Sequence, residues 1–352
     1  MTTSGTAPGT TAQDGTGSAA GAAQRLGWAD AAKGAAIALV VLTHATMFLQ
    51  EAGYATPHWQ ALNNLLAGAR MPLFFAVSGL FAASALNGSW RRVLHRRVLP
   101  NAWLFALWLA VTTAFFATGA WVEAGQPAGA GELAAALLRP HTELWYLYAL
   151  AVYAVVARAL RPVPPAVQLA AAAALSVTTS AGLTATGSWA WDDVAAHLAF
   201  FLAGLHGRRV LASVAEGAGA VRTAGLLAAF AVVGGAVGLL DLHLVPGLPL
   251  LRGALGVLAA VAACALLVRR WPRTPLRALG RATLPVYLTH VLLIAVLTTV
   301  LEVLAPPALP VPVRLALPAV VTLVVVLAGV AARRPLARVP GLLGLPASLA
   351  AR

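Results

Sequence analysis

Long apolar runs recur along the whole chain and alternate with short polar connections. Each run approaches the roughly 20 mostly apolar residues that a helix needs to cross a bilayer, so the pattern predicts an all-α, polytopic membrane protein. About ten transmembrane helices are expected, at residues 29–49, 62–86, 100–118, 143–160, 166–184, 193–207, 222–241, 249–268, 282–303 and 313–332. No connection is long enough for a soluble domain, so any chemistry is expected within the helix bundle or at its faces.

The composition agrees with lipid as the solvent of this fold. Hydrophobic residues make up 60% of the chain and charged residues 10%, whereas a soluble domain carries about 25% charged residues. The formal charge of +13 could suggest nucleic acid, but no basic face with stacking aromatic side chains is visible, so no nucleic-acid partner is expected. Residues 1–24 are rich in Gly, Thr, Ala and Ser and predict a disordered tail.

The charges of the connections predict an orientation. Alternate connections carry arginines and the intervening ones carry acidic residues, which is a positive-inside pattern. Both termini are therefore expected in the cytoplasm, with the first span as an uncleaved anchor in the plasma membrane. Residues 25–335 are expected to form the membrane domain, followed by a short cytoplasmic tail at 336–352.

Two ionisable side chains, Lys33 and His44, lie in the first predicted span. Eleven helical steps bring them to within roughly 20° of each other, about 16.5 Å apart along the axis. Ionisable groups within a span usually mark function, and histidine is suited to proton exchange near neutral pH. The pattern predicts a polar path with an anion near Lys33 and proton chemistry at His44. Asp30 is within pairing reach of Lys33, and both are candidate catalytic residues beside His44. Alternatively, Asp30 and Lys33 form an interfacial ion pair and His44 only bonds a neighbouring helix.

The second predicted span contains several residues that favour a cavity. Arg70 lies near the predicted outer end, where arginines are scarce, and is expected to cap the mouth of a cavity. Pro72 predicts a kink or the start of a helical segment. Ser78 and Gly79 offer a small surface where helices can approach closely, with Phe75 filling the space beside them. Plain helix packing is the alternative interpretation of Ser78.

Four arginines follow the second predicted span: Arg91, Arg92, Arg96 and Arg97. Guanidinium groups bind phosphate through paired hydrogen bonds, so the cluster is a candidate phosphate clamp for a donor substrate. The alternative is that the cluster only reflects positive-inside topology and contacts with anionic lipid.

Two later segments bring further polar groups into the predicted spans. Glu143 and Trp145 begin the fourth span and are candidate substrate-cavity residues. Trp145 also fits an interfacial aromatic belt, and Glu143 equally fits a second acid or base or a donor-site anchor. Tyr287 and His290 are three residues apart and share a face of the ninth span. A second intramembrane histidine beside His44 favours a lined polar cavity.

Other chemistry finds no support in the sequence. We see no phosphate loop, HExxH zinc motif or GxSxG nucleophile elbow, so no metal and no serine hydrolase are expected. Asp193 and His197 lie near a predicted span end and are interpreted as solvated, without an assigned role.

Five segments, in this order, resemble motifs of the acyltransferase-3 family of integral-membrane acyltransferases. They are Asp30 through His44, Phe74 through Leu80, Arg91 through Pro100, Leu144 through Leu147, and Leu279 through His290. The resemblance covers about residues 25–335. Lys33 stands where the family usually has arginine, which replaces a bidentate contact with a point charge. Thr283 stands where the family usually has serine.

The resemblance implies ten spans and transfer of an acyl group, often acetyl, from a cytoplasmic acyl-coenzyme A. The implied acceptor is a hydroxyl group of a sugar, glycolipid, cell-envelope polymer or natural product, and membrane lipids are further partners. The resemblance also implies that His44 is catalytic, as base or acyl carrier, and that Lys33 and the four arginines contact the donor. The alternative from another class is a multi-span transporter of a small solute or lipid-linked glycan, although no inverted repeat is visible.

Overall fold

The computed structural model describes residues 15–117, 130–140, 142–304 and 309–350, and every regular element within these ranges is helical. In chain order the helices are α1 (Gly15–Glu51), α2 (His58–Leu86), α3 (Trp90–Val93), a π-helical turn (Leu94–Val98), α4 (Leu99–Phe116), α5 (Ala130–Leu138), α6 (Trp145–Ala159), α7 (Pro165–Ser180), α8 (Trp189–His206), α9 (Arg208–Glu216), α10 (Ala220–Leu239), α11 (Leu248–Arg270), α12 (Pro275–Gly280), α13 (Thr283–Leu304), α14 (Val311–Ala331), α15 (Arg333–Arg338) and α16 (Ala347–Ala350).

Each of the ten predicted spans coincides with one of the longer helices. Within the described residues, seven helical segments are long and apolar enough to cross a membrane. The pair α8 and α9, bent by 75°, would add an eighth. Helices α6 and α7 are shorter, with 15 and 16 residues. The all-α membrane architecture is thus confirmed, while the count of ten spans and the cytoplasmic termini stay predictions.

The two ends of the chain bear on the predicted tails. Helix α1 begins at Gly15, inside the segment predicted as a disordered tail, and residues 1–14 lie outside the described residues. Near the C-terminus the chain packs on α4. There Trp103 Nε1 and Trp108 Nε1 donate to the backbone oxygens of Gly341 and Leu342, both at 2.9 Å.

Glycines set the closest helix contacts. A Cβ atom on Gly79 of α2 would lie 2.0 Å from the backbone oxygen of Phe201 in α8, and one on Gly204 would lie 1.8 Å from that of Ala76. Only a residue without a side chain permits these distances, as expected where helices in lipid approach through small residues. The small surface predicted at Ser78 and Gly79 is therefore confirmed as a helix contact.

A second close contact fixes α1. A Cβ atom on Gly34 would lie 2.0 Å from the backbone oxygen of Leu276 in α12, and one on Gly280 would lie 1.8 Å from that of Asp30. Helix α1 also packs against α2, α11, α13 and α14. Because α1 is surrounded in this way, the side chains of Lys33 and His44 are directed into the protein.

Candidate functional site

A cavity of about 330 Å³ opens beside His44, and we call it the histidine cavity. Helices α1, α2, α6, α8 and α13 and the turn before α6 contribute its walls. The lining residues are Val40, Thr43, His44, Met47, Phe48, Arg70, Met71, Phe74, Thr142, Glu143, Trp145, Tyr146, Trp189, Asp193, Tyr287 and Val291. The predicted cavity residues Arg70, Glu143, Trp145 and Tyr287 are therefore brought together around His44.

The His44 ring is held with one nitrogen available to the cavity. Its Nδ1 lies 3.0 Å from the backbone oxygen of Val40, one helical turn earlier. A carbonyl oxygen can only accept, so this bond assigns the ring proton to Nδ1 and leaves the lone pair on Nε2. That lone pair is the group a general base or a nucleophile requires.

His290 supports the His44 ring from behind. The two rings meet edge to face with centroids 4.9 Å apart. His290 is fully buried, and its Nδ1 donates to the backbone oxygen of Tyr287 at 2.6 Å. His290 is absent from the lining of the histidine cavity, so it contacts the predicted catalytic ring rather than the cavity itself.

Arg70 is fixed at the wall through α1. Its Nη1 donates to Thr43 Oγ1, and Thr43 in turn donates to the backbone oxygen of Leu39 at 3.0 Å or to Asn63 Oδ1 at 3.3 Å. Thr43 precedes His44 in the chain, so the guanidinium group and the imidazole are neighbours in one wall. The cavity thus combines a cation and a proton-accepting nitrogen.

Two carboxylates and two indoles complete the histidine cavity. Glu143 lies in the turn before α6, where its backbone oxygen accepts a 2.6 Å hydrogen bond from Tyr287 Oη. Asp193 and Trp189 lie one turn apart on α8 and both line the cavity. The sequence interpretation of Asp193 as a solvated residue missed this position. The four-residue spacing of Trp189 and Asp193 on one helix face was the signal that could have found it.

Lys33 belongs to a second, smaller cavity of about 130 Å³, which we call the lysine cavity. Its lining residues are Lys33, Ser78, Phe81, Ala82, Arg97, Asn101, Leu150, Ala154 and Phe201. Lys33 Nζ lies 3.6 Å from the centroid of the Phe81 ring, and Arg97 Nη2 donates to the backbone oxygen of Phe81 at 2.6 Å. Lys33 and Arg97 therefore both contact Phe81 of α2.

A hydrogen bond stands between the two cavities. Tyr146 lines the histidine cavity and Ser78 lines the lysine cavity, and their hydroxyl oxygens are 2.6 Å apart. The Tyr146 ring also stacks on Phe74, with centroids 4.4 Å apart and planes inclined by 3°. The single polar path predicted along α1 is thus divided into two compartments by Ser78 and Tyr146.

The remaining predicted residues lie outside both linings. Arg91, Arg92 and Arg96 are exposed, so of the four arginines only Arg97 reaches a cavity. The π-helical turn adds one residue to the helical turn at this point and lies where Arg97 is directed inward.

Asp30 and Phe75 support the site rather than line it. Asp30 packs its backbone against Gly280 and forms no ion pair with Lys33 in the described structure. Phe75 is fully buried, and its ring contacts those of Trp145, Tyr146 and His197. Phe75 therefore packs behind Trp145 and Tyr146, the aromatic residues of α6 that line the histidine cavity.

Comparison with known proteins gives one result. A family model described as an acyltransferase domain, that of acyltransferase-3, matches residues 26–333, which is nearly the whole chain. This match confirms the resemblance drawn from the five sequence segments. No curated protein and no solved structure matches the chain.

Proposed function

Since the chain belongs to the acyltransferase-3 family, we propose that this integral membrane acyltransferase is an O-acyltransferase. The donor is a cytoplasmic acyl-coenzyme A, in the simplest case acetyl-coenzyme A. The acceptor is a hydroxyl group of a sugar, glycolipid, cell-envelope polymer or natural product. The observation that carries the proposal is the free Nε2 of His44 at the wall of a cavity large enough for a small ligand.

His44 acts on the acceptor in this proposal. As a general base, Nε2 takes the hydroxyl proton while the acceptor oxygen attacks the thioester carbonyl. The carbon–sulfur bond breaks, and the coenzyme A thiolate takes that proton from the imidazolium. As an acyl carrier, Nε2 itself attacks the thioester carbonyl and expels the coenzyme A thiolate. The acceptor oxygen then attacks the acyl-imidazole carbonyl, the bond to Nε2 breaks, and the hydroxyl proton passes to the thiolate. Both routes use the same lone pair, and the hydrogen bond to Val40 holds the ring for either.

The lysine cavity is proposed to receive the anionic donor. Lys33 and Arg97 are its two cations, and the arginine-rich segment that contains Arg97 also exposes Arg91, Arg92 and Arg96 nearby along the chain. Phosphates of coenzyme A would be attracted to this side, because guanidinium and ammonium groups form strong charge-assisted bonds with phosphate. The cavity itself is too small for the whole donor, so it suits a phosphate group at the start of the arm that carries the thioester.

The histidine cavity is proposed to receive the acceptor. Trp145, Trp189 and Tyr146 offer aromatic faces, while Arg70, Glu143 and Asp193 offer charged groups that can hold hydroxyls. The acceptor hydroxyl would then lie beside His44, and the donor's thioester would reach it past Tyr146, at the boundary between the two cavities.

Transfer and transport are separated by one experiment. Membranes containing the protein are given acetyl-coenzyme A labelled in the acetyl group, together with a cell-envelope glycan fraction. We expect free coenzyme A to appear in step with labelled ester, and neither to appear in membranes without the protein. Movement of an acceptor across sealed vesicles without cleavage of the thioester would contradict acyl transfer and favour a transporter.

A further inference from the structure

An apolar groove of about 450 Å³ lies away from both cavities. Helices α2, α7, α8, α9 and α11 form its walls, and every lining residue is Ala, Gly, Val, Leu or Phe. Its volume falls within the roughly 300–1,000 Å³ typical of ligand pockets. We call it the apolar groove and define it by Ala76, Leu169, Phe200, Ala203, Val210 and Ala254.

The apolar groove opens on the outer surface of the helix bundle. Ala203 of α8 and Ala254 of α11 are exposed, although both lie in apolar helices. Around such helices the solvent is hydrocarbon, so a lipid chain rather than water reaches this opening. A groove with no polar lining group offers nothing to a sugar or to a phosphate along its length.

One end of the groove carries positive charge. Helix α8 ends at His206, and α9 turns away by 75° after Gly207. Helix α9 buries Leu211, Val214 and Ala215, which is typical of a short amphipathic helix that lies along a membrane surface. Arg208 and Arg209, at its start, are exposed and directly precede Val210 and Leu211, which line the groove.

We propose that the apolar groove is a binding site for one acyl chain of an anionic phospholipid whose headgroup is held by Arg208 and Arg209. The chain fits the apolar walls, and the headgroup phosphate fits two guanidinium groups at the groove's charged end. A neutral polar ligand matches neither feature.

The bound chain also has a structural role. The groove's wall includes Gly204 and Ala76, where α8 and α2 approach so closely that a Cβ atom on Gly204 would clash with the backbone oxygen of Ala76. These two helices carry Asp193 and Arg70 of the histidine cavity. A lipid chain in the groove braces this contact, and a ligand that binds only the folded protein raises its thermal stability.

The test uses the full-length purified protein and two probes of equal chain length, phosphatidylglycerol and phosphatidylcholine. Retained lipid is counted by native mass spectrometry, and thermal unfolding is followed with each lipid. We expect retention of one phosphatidylglycerol and a higher unfolding temperature than with phosphatidylcholine. Ala203→Trp and, as a milder second variant, Ala254→Leu fill the groove and should abolish that retention.

The charged end is tested separately. Replacing Arg208 and Arg209 by Gln should lower the preference for phosphatidylglycerol over phosphatidylcholine by about 30-fold, since each arginine near an anionic surface contributes about 1 kcal/mol. The matched control replaces Arg333 and Arg334, exposed at the start of α15, and should keep the wild-type preference. Free inorganic phosphate should neither compete nor stabilise.

Three outcomes would overturn the proposal. The first is equal retention of phosphatidylglycerol by wild type and by both groove-filling variants, with wild-type circular dichroism. The second is that replacing Arg333 and Arg334 lowers the preference for phosphatidylglycerol over phosphatidylcholine as much as replacing Arg208 and Arg209 does. The third is a dimer of the wild type that Ala203→Trp converts to a monomer, which would make the groove an interface between two copies.

Discussion

The histidine cavity and the lysine cavity lie along one helix and differ in size and in charge. The histidine cavity, about 330 Å³, contains one cation, two carboxylates and an imidazole with a free nitrogen. The lysine cavity, about 130 Å³, has two cations and no acidic lining residue. An anion is favoured in the second and an uncharged, hydroxyl-rich molecule in the first. Along α1, the proposed binding of the donor's charge at Lys33 is therefore separated from the proposed transfer chemistry at His44.

The two halves of α1 are also packed differently. Near Lys33, Gly34 contacts the backbone of α12 and leaves no room at that face. Near His44, α1 borders the open cavity, and the His290 ring packs against the imidazole. Helix α1 is thus rigidly supported at one end and holds a ring at the edge of a cavity at the other end. This arrangement is suited to positioning a reactive side chain.

The largest effect is expected at His44, the centre of the histidine cavity. Among the described residues that line the cavity, His44 is the only histidine, so transfer by His44→Ala should fall at least about 100-fold, the lower range for a lost general base. The measurement is the release of free coenzyme A by reconstituted protein supplied with acceptor. His243→Ala, a histidine beside Asp241 in a connection, is the control. Equal rates in the two variants would remove His44 from the mechanism.

The next effect concerns the lysine cavity. Lys33→Ala should raise the KM for acyl-coenzyme A by about 10- to 100-fold, since a hydrogen bond to a charged group contributes about 1.5–3 kcal/mol. The value of kcat should change less, and Lys33→Arg should restore the KM. Arg334→Gln, at an exposed position outside both cavity linings, serves as the control for lost positive charge. An unchanged KM in Lys33→Ala would show that this cation does not contact the donor.

A change at Arg70 should affect binding of the acceptor. Arg70→Gln is expected to raise the KM for the acceptor about tenfold, at the lower end of the same range for charged hydrogen bonds. The KM for acyl-coenzyme A should stay constant, because Arg70 lines only the histidine cavity. The opposite pattern, with the donor KM raised and the acceptor KM constant, would reverse the assignment of the two cavities.

The smallest effect is expected at the boundary between the cavities. Tyr146→Phe removes the hydrogen bond to Ser78 but keeps the stacked ring. Such a bond contributes about 0.5–1.5 kcal/mol, so release of coenzyme A without acceptor should rise about two- to tenfold as water reaches the thioester. Ser78→Ala should give the same rise. A rise in neither variant would mean that this contact does not separate donor from water.

Most of the fold could be predicted from the sequence because lipid imposes a simple rule. An apolar run of sufficient length must satisfy its backbone within the helix, so each of the ten runs coincides with a helix. The grouping of His44, Arg70, Glu143, Trp145 and Tyr287 also followed from scarce polar residues in apolar surroundings. Neither inference needed knowledge of how the helices pack.

The rest depends on packing that no local pattern records. Ser78 and Tyr146 are far apart in sequence, and only the tertiary fold brings their hydroxyls together and divides the path between Lys33 and His44. Asp193 was missed because a charge near a span end is usually solvated, whereas here α8 turns it toward the cavity. Arg96 and Arg97 are neighbours in one π-helical turn, yet Arg96 is exposed and Arg97 lines the lysine cavity, a difference that composition does not reveal.

Donor and acceptor are proposed to enter from different cavities and to meet at Tyr146. Cysteines at Asn101, in the lysine cavity, and at Met47, in the histidine cavity, test it most directly, in a chain whose single native Cys264 is buried. The measurement is the rate of maleimide labelling with and without coenzyme A. Coenzyme A is expected to slow labelling at position 101 and to leave the labelling rate at position 47 unchanged. Protection at 47 with none at 101 would contradict it.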